Sequence, residues 1–156
     1  MSLFLRNLFF TLLQPGLVAG LFPYLIAQKE FETVLERPID VLTVIGMIVC
    51  IIGVGITGHC IFKFATDGRR TLSPADPTTR LVIKGLYKYS RNPMYVGVMM
   101  ILVGECLVTL NLSLVIYALL IFTAFSLFII YWEEPRLTKD FGEDYINYQK
   151  QVRRWI

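Results

Sequence analysis

Four long runs of apolar residues divide this chain, and its charged residues are concentrated in the segments between them. The runs cover residues 8–27, 41–62, 94–110 and 112–132. The first, second and fourth contain no Asp, Glu, Lys or Arg, and each approaches the ~20 residues that a helix needs to cross a bilayer. The third is shorter and carries one acid, Glu105. This pattern predicts an all-α integral-membrane protein with four transmembrane helices.

The composition points to the same class of protein. Hydrophobic residues make up 55% of the chain and charged residues 17%, whereas roughly a quarter of a soluble domain is charged. The mean hydropathy is +0.59. The length suits one domain, residues 1–156. The first run is longer than the apolar core of a cleavable signal peptide, and no small-residue cleavage pattern follows it.

Cysteine and histidine are too few to indicate a disulfide framework or a metal site. The three cysteines, Cys50, Cys60 and Cys106, all lie inside apolar runs, where we expect them to pack between helices. His59 is the only histidine, so we expect no metal. It lies near the polar end of the second helix, as a packed or interfacial residue or, alternatively, facing an active cavity.

The charges of the connecting segments predict the orientation. Segment 28–40 holds two basic and four acidic residues, whereas segment 63–91 holds seven basic and two acidic residues. Lys and Arg favour the cytoplasmic side of a membrane. We therefore expect segment 63–91, both ends of the chain and the site described below to be cytoplasmic. The last two helices form a hairpin around Asn111, on the opposite side.

Proline and glycine indicate how the first two helices pack. Pro15 and Pro23 predict a kink in the first helix, and Gly16 and Gly20 permit close contact with a neighbour. Glycines 53, 55 and 58 match the dinucleotide-binding pattern G-x-G-x-x-G. That fingerprint requires a preceding strand, and here it lies inside an apolar helix, so we interpret these glycines as packing positions.

Glu105 is the one acid inside a predicted span, where a charged group is costly and suggests function. The simpler interpretation is that its carboxyl hydrogen-bonds a neighbouring Ser, Thr or Tyr, or lies near the far interface beside Asn111. We favour the simpler interpretation because the polar segments gather at the other end of this helix. The alternative is a different membrane enzyme or a small transporter that depends on Glu105.

The segment 80–95 combines positive charge, tyrosines and a helix start. Asn92-Pro93 has the form of an N-cap followed by proline at the first helical position. The free backbone N–H groups of such a start attract anions. Basic and aromatic side chains surround it: Lys84, Lys88, Arg91, Tyr87, Tyr89 and Tyr95. The alternative is an ordinary positively charged loop with interfacial tyrosines.

Beyond the fourth run, Glu133-Glu134-Pro135 is followed by apolar residues at helical spacing. They are Leu137, Phe141, Tyr145, Tyr148, Val152 and Trp155. This spacing predicts a cytoplasmic amphipathic helix, interrupted near Gly142, that lies on the membrane or over the bundle. We expect the two glutamates to face the basic segment, and at least one of them to pair with it or with a bound cation. We expect Glu134 to be the more solvated of the two.

Read together, these residues resemble the isoprenylcysteine carboxyl methyltransferase family, which is related to the membrane phospholipid methyltransferases. The resemblance covers about the C-terminal half of the chain and rests on two ordered groups of residues. They are Leu81-Val82, Gly85-Leu86-Tyr87, Arg91-Asn92-Pro93 and Tyr95, then Glu133-Glu134, Leu137, Phe141-Gly142, Tyr145, Tyr148 and Val152. The resemblance implies a compact membrane methyltransferase that uses S-adenosylmethionine and a lipophilic small-molecule, lipid or lipidated acceptor. It implies no nucleic-acid partner.

The same resemblance assigns the site. The cofactor part would be residues 79–156, with Glu133 as the catalytic residue. The cofactor contacts would be Thr79, Arg80, Leu81, Val82, Tyr87, Asn92, Pro93, Met94 and Tyr95. A nearby acid such as Glu133 suits a positively charged sulfonium or the orientation of an acceptor, since methyl transfer depends mainly on positioning.

Two positions depart from the family pattern. Asn92 stands where the family commonly has histidine, and it cannot titrate. Ile129 stands where the eukaryotic enzymes have an arginine that contacts the substrate carboxylate. The acceptor is therefore left open between a prenylcysteine-like carboxylate and a phospholipid amine. A non-catalytic membrane interaction protein on the same fold is a further alternative.

Overall fold

The computed structural model of the chain describes residues 15–34, 36–67, 81, 83 and 85–156. These residues are predominantly helical, and no strand occurs among them. The helices in chain order are α1 (Phe22–Ile26), α2 (Gln28–Thr33), α3 (Val41–Asp67), α4 (Pro93–Thr109), α5 (Leu112–Phe128), α6 (Glu134–Phe141) and α7 (Glu143–Gln151). Two π-helical turns, Leu17–Leu21 and Ile129–Glu133, lead into α1 and α6, and a 3₁₀ turn, Gly85–Lys88, precedes α4. The prediction of an all-α protein is thus confirmed for the described residues.

Two helical stretches are long and apolar enough to cross a membrane. They are Val41–Lys63 and the continuous stretch Leu112–Phe141. Most of their large apolar side chains are exposed, as a lipid environment allows. Pro93–Thr109 and Leu17–Ile26 are also apolar but shorter. The second, third and fourth predicted runs therefore coincide with helices, whereas the first is described only from residue 15 onward.

Glycines bring α3 and α4 into backbone contact. A methyl group on Gly46 would lie 2.7 Å from the carbonyl oxygen of Gly104, and one on Gly53 would lie 2.7 Å from the carbonyl oxygen of Gly97. Both distances are too short for any larger residue, so the two helices pack closely through these positions. A methyl group on Gly55 would meet nothing within 4 Å. Gly58 is equally free of neighbours, so the predicted packing role of this glycine series holds for Gly53 and does not extend to Gly55 or Gly58.

The first helix is kinked as its prolines predict. Ala19 has non-helical backbone angles, and the N–H of Phe22 bonds five residues back to the carbonyl of Leu17. Pro23 has no N–H of its own, so the wider turn accommodates it. The close contact expected at Gly16 and Gly20 is wrong for the described residues, because a methyl group on either glycine would meet no atom within 4 Å.

The hairpin turn between α4 and α5 is fixed by Asn111. Its Oδ1 accepts a hydrogen bond from the N–H of Leu114 at 3.1 Å, and its Nδ2 donates to Oε1 of Glu30 at 2.8 Å. Nη2 of Arg37 donates to the carbonyl of Val108. The acidic segment after α1 and the hairpin therefore lie at the same end of the bundle, as predicted.

Asp40 begins the longest helix from that same end. Its carboxylate accepts a hydrogen bond from the N–H of Thr43 at 2.7 Å. This is the N-cap arrangement that stabilises a helix start, and it holds the pKa of Asp40 below its usual value. The start of α3 is thereby anchored beside the hairpin, and its other end runs toward the second polar end of the bundle.

Candidate active site

The two halves of the predicted motif meet at the end of the bundle opposite Asn111. Tyr95, in the first turn of α4, donates its hydroxyl proton to Oε2 of Glu133 at 3.2 Å. The two residues are 38 positions apart in the chain. The Tyr95 ring also packs on Phe125 of α5, with the ring centroids 4.7 Å apart. A partly buried carboxylate is thus held by a phenol where the apolar helices end.

A π-helical turn places Glu133 at this position. The N–H of Glu134 bonds to the carbonyl of Ile129, five residues back, instead of to the carbonyl four residues back. Pro135 follows directly and has no N–H to continue the regular pattern. One extra residue in a turn rotates the following side chains by roughly 100° about the helix axis. Turns of this kind are frequent at functional sites, and the apolar pattern of this run does not reveal one.

Asn92 lies at the start of α4, as predicted, but it does not cap the helix. Pro93 is the first helical residue, and the Asn92 side chain makes no capping hydrogen bond. Its Nδ2 instead donates to the carbonyl of Arg154 at 3.0 Å. Its own N–H bonds to Oγ of Ser90 at 3.1 Å. Asn92 therefore occupies the predicted N-cap position, but the predicted capping bond is wrong, because the side-chain amide donates to the Arg154 carbonyl instead.

Glu134 is mostly buried, with its side chain only 12% exposed. Its two oxygens accept from Nε and Nη2 of Arg154 at 2.8 and 2.9 Å, a bidentate pair. Nη1 of Arg91 lies 2.9 Å from Oε1 of Glu134 as an ion pair, and the side chains of Arg91 and Glu134 are only 10% and 12% exposed. The predicted pairing of one glutamate with the basic segment is confirmed for Glu134.

Tyr87 and Leu81 join the segment before α4 to the last helices. The hydroxyl of Tyr148 donates to the carbonyl of Tyr87 at 2.6 Å. Leu81 packs on a buried cluster formed by Tyr145, Tyr148 and Val152, which Leu137 and Phe141 complete. Burial raises the pKa of Tyr87, and the nearby Cys60 and Glu133 add to the rise.

The predicted apolar face after residue 133 thus packs inward against the protein. Five of its six residues form or border that cluster, and Trp155 packs separately on Phe122 of α5, with ring centroids 4.9 Å apart. The predicted interruption is also present, because Gly142 has a φ of +55° between α6 and α7. This left-handed value favours glycine over other residues.

Some of the remaining predicted positions lie outside the described residues, and the others lie near the start of α4. Thr79, Arg80 and Val82 lie outside the described residues. Met94 lies partly buried in the first turn of α4, next to Tyr95. His59 lies beside the 3₁₀ turn, since a methyl group on Gly85 would be 3.8 Å from its Nε2.

Glu105 lies in α4, far from Tyr95. Its Oε2 is buried and has no hydrogen-bond partner among the described residues. The hydroxyl of Thr109 donates to the backbone carbonyl of Glu105 at 2.8 Å. The hydrogen bond from a neighbouring hydroxyl to the carboxyl, which the simpler interpretation expected, is therefore not made to Oε2 among the described residues.

The sequence of residues 41–144 matches the phospholipid methyltransferase family. This match covers about two thirds of the 156 residues. The chain belongs to the phospholipid methyltransferase family. No curated protein matches the chain significantly. Membership of the phospholipid methyltransferase family agrees with the resemblance drawn from Arg91-Asn92-Pro93 and Glu133-Glu134, and with the apolar helices it identifies the chain as a membrane methyltransferase.

The match also spans both halves of the site. It includes α3 and α4 with Tyr95, and it continues through α5 to Glu133 and Glu134. It ends within α7, before Arg154. Arg154 therefore lies outside the matched residues, whereas its partners Asn92 and Glu134 lie inside them.

Proposed function

We propose that this chain transfers a methyl group from S-adenosylmethionine to a lipophilic acceptor within the membrane, in the manner of the isoprenylcysteine carboxyl methyltransferases. The acceptor would be a small molecule, a lipid or a lipidated molecule. The observation that carries the proposal is the 3.2 Å contact between the Tyr95 hydroxyl and Glu133. It joins the two parts of the motif at the polar end of apolar helices, where a water-soluble cofactor and an apolar acceptor meet.

The proposal includes four membrane-spanning helices with the site on the cytoplasmic side. The geometry supports this arrangement because the acidic segment and the hairpin share one end, held by Glu30 and Asn111. The basic residues Arg91 and Arg154 lie with Glu134 at the other end. Lys and Arg favour the cytoplasmic side, so this second end would face the cytoplasm.

The residues at this end fit the charges of S-adenosylmethionine. The carboxylate of Glu133 complements a sulfonium, and the ring of Tyr95 offers an aromatic face to a cation. Arg91 supplies the opposite charge, since its buried Nε has no hydrogen-bond partner among the described residues and suits a carboxylate. The proposed cofactor contacts are Leu81, Tyr87, Asn92, Pro93, Met94 and Tyr95, together with Thr79, Arg80 and Val82 outside the described residues.

The chemistry asks the protein mainly to orient two reactants and exclude water. When bound, the cofactor supplies an electrophilic methyl group whose bond to sulfur breaks as the electron pair of the acceptor forms the new bond. Tyr95 fixes one oxygen of Glu133 by its hydrogen bond. The other oxygen would orient the acceptor, or take its proton where the acceptor is an amine. The exposed apolar face of α5 would admit the acceptor sideways from lipid.

A phospholipid amine is the second candidate acceptor, and Ile129 favours it. This position holds an arginine for the substrate carboxylate in the eukaryotic relatives, whereas here the side chain of Ile129 is 0% exposed. No cation therefore stands at this position to bind an acceptor carboxylate. The carboxylate of Glu133 suits an amine, which is positively charged before it loses its proton.

Calorimetry with S-adenosylhomocysteine on the detergent-solubilised protein tests the cofactor. We expect binding by the wild type and weaker binding by Tyr95→Ala, which loses the ring and the hydroxyl together. Asp140→Asn is the matched control, because the ion pair of Asp140 with Arg136, at 3.7 Å in α6, is exposed. Absence of binding by the wild type would refute the proposal and favour a non-catalytic interaction protein.

Transfer of a labelled methyl group into total lipid and protein extracts tests the reaction and identifies the acceptor. Glu133→Gln should slow transfer about tenfold or more, or ~1.4 kcal/mol and upward in barrier, while cofactor binding stays nearly intact. Undiminished transfer by this variant would show that Glu133 is not catalytic. Label found in phospholipid would select the amine, and label released by mild base from a lipidated acceptor would select the carboxylate.

A further inference from the structure

The segment that follows α7 runs back across the start of α4. The N–H of Arg91 donates to the carbonyl of Arg153 at 2.9 Å. The carbonyl of Arg154 accepts from Oγ of Ser90 at 3.3 Å and from Nδ2 of Asn92 at 3.0 Å. Three consecutive residues before α4 are thus hydrogen-bonded to two consecutive carbonyls near the end of the chain. We call residues 152–156 the return segment.

One carboxylate holds the return segment by its charge. Arg154 pairs with both oxygens of Glu134, and Arg91 approaches one of the same oxygens from the other side. Two guanidinium groups therefore share a single carboxylate, and the Arg91–Glu134 half of the cluster is about nine-tenths buried. Without the negative charge, the two arginines would repel each other across a short distance. Glu134 therefore holds both arginines together beside the start of α4.

Aromatic contacts connect the return segment to the Tyr95 region. Trp155 packs on Phe122 of α5. Phe125 lies three residues further along the same helix, on the same face, and packs on Tyr95. Tyr95 is also only three residues from Asn92, whose amide binds the return segment. Displacement of the segment would therefore release the start of α4 and the aromatic packing beside it.

We propose that Glu134 is a positioning residue: through Arg91 and Arg154 it fixes the return segment over the start of α4, and so holds Tyr95 and Asn92 in place opposite Glu133. Asn92 also helps to hold the segment, because its Nδ2 donates to the Arg154 carbonyl and the residue is only 8% exposed. The two adjacent glutamates thus have different roles. Glu133 faces the reactants, and Glu134 orders the structure around them. The inference about reactants rests on the proposed function, whereas the fixing of the segment does not.

Fluorescence of Trp155 tests the fixing without any cofactor. The chain has two tryptophans, and Trp132 is exposed and outside the cluster, so Trp132→Phe leaves Trp155 as the only reporter. In that background, Glu134→Gln should raise the acrylamide quenching of Trp155 by about twofold or more as the segment detaches. Asp140→Asn should leave quenching unchanged. Unchanged quenching in Glu134→Gln would overturn the proposal.

Arg154→Ala provides a milder variant in case Glu134→Gln fails to fold, since Glu134 then keeps its pairing with Arg91. It should also raise the quenching of Trp155. Arg153→Ala is its matched control, because the side chain of Arg153 is exposed and its contact with Arg91 uses the backbone carbonyl. Equal quenching in the two arginine variants would show that the charge of Arg154 does not hold the segment.

Cofactor binding separates positioning from direct contact. Glu134→Gln should weaken S-adenosylhomocysteine binding about tenfold, and saturating ligand should restore the protection of Trp155, because binding and segment closure are then linked. Glu134→Asp keeps the charge and should recover part of the affinity. Weakened binding with Trp155 still protected would mean that Glu134 touches the cofactor, which overturns the positioning role. If the wild type binds no S-adenosylhomocysteine, the proposed function fails, while the quenching experiment still decides the role of Glu134 in holding the segment.

Discussion

Gly53→Ala should widen the contact between α3 and α4 and destabilise the protein. The added methyl group would lie 2.7 Å from the Gly97 oxygen, 2.8 Å from the Ile101 nitrogen and 2.9 Å from Cγ1 of Ile101. Two of these atoms belong to the backbone, so a change of side-chain rotamer cannot relieve the overlap. Ordinary contact begins near 3.4 Å, and the helices must therefore open by about 0.7 Å, the difference between 3.4 and 2.7 Å. Overpacking of this kind costs roughly 1–3 kcal/mol.

Gly55→Ala is the matched control for this prediction. It makes the same chemical change two residues along the same helix, where the methyl group meets nothing within 4 Å. The assay is the free energy of unfolding in mixed micelles titrated with denaturing detergent, followed by circular dichroism. Gly53→Ala should lose the stated free energy, and Gly55→Ala should be unchanged or slightly more stable. Equal stability of the two variants would refute the close packing of α3 on α4.

Gly46→Ala extends the prediction to function. Its methyl group would also lie 2.7 Å from a carbonyl oxygen, that of Gly104, but about 10 Å further from the site along α3. Both substitutions should therefore destabilise the protein similarly. Only Gly53→Ala disturbs Gly97, two residues from Tyr95, so it should reduce S-adenosylhomocysteine affinity more than Gly46→Ala.

Two further predictions concern the last helices and the orientation. Burial raises the pKa of Tyr148 from 10.0 to about 12 in the folded protein. The neutral phenol therefore stabilises the fold fully below the unfolded pKa, and this stabilisation is lost as the pH rises through about 12. Tyr148→Phe should cost about 0.5–1.5 kcal/mol at neutral pH, by loss of the bond to the Tyr87 carbonyl, and should show a shallower fall in melting temperature from pH 9 to 11.5 than the wild type. For the orientation, an impermeant thiol reagent applied to intact cells should label a cysteine placed at Glu32 and miss one placed at Lys139, and the reverse labelling would overturn the charge-based topology.

Helices α3, α4 and α5 and their order were predictable because long apolar runs indicate apolar helices directly. Runs 41–62, 94–110 and 112–132 fall on α3, on α4 and on α5 with its π-turn. Each run needs only apolar composition and sufficient length, which are properties of a local stretch of sequence. The placement of Tyr95 and Glu133 at one end of the bundle was predictable for another reason, since the resemblance joined two motifs that no local pattern connects.

The sequence does not show which of the two glutamates contacts Tyr95 and which pairs with the arginines. Glu133 and Glu134 are adjacent acids, and composition gives no reason why either should be buried. The difference depends on the π-turn at Ile129–Glu133 and on the position of Arg154, 20 residues away. Asn92 shows the same limitation, because its position before Pro93 correctly predicts a helix start and wrongly predicts the partner of its side chain. Tertiary partners of polar side chains are set by the whole fold.

The π-turn gives the adjacent glutamates their separate tasks. Consecutive residues on a helix point about 100° apart, so two neighbouring acids cannot both face one partner. The wider turn and Pro135 set the direction of this pair, with Glu133 toward Tyr95 on α4 and Glu134 toward Arg91 just before it. Both contacts tie the start of α4 to the end of the α5 stretch, one through the proposed catalytic carboxylate and one through the ion-pair cluster. A change that restored the regular helical bonding at residues 129–135 would turn both side chains and disconnect α4 from its two partners at once.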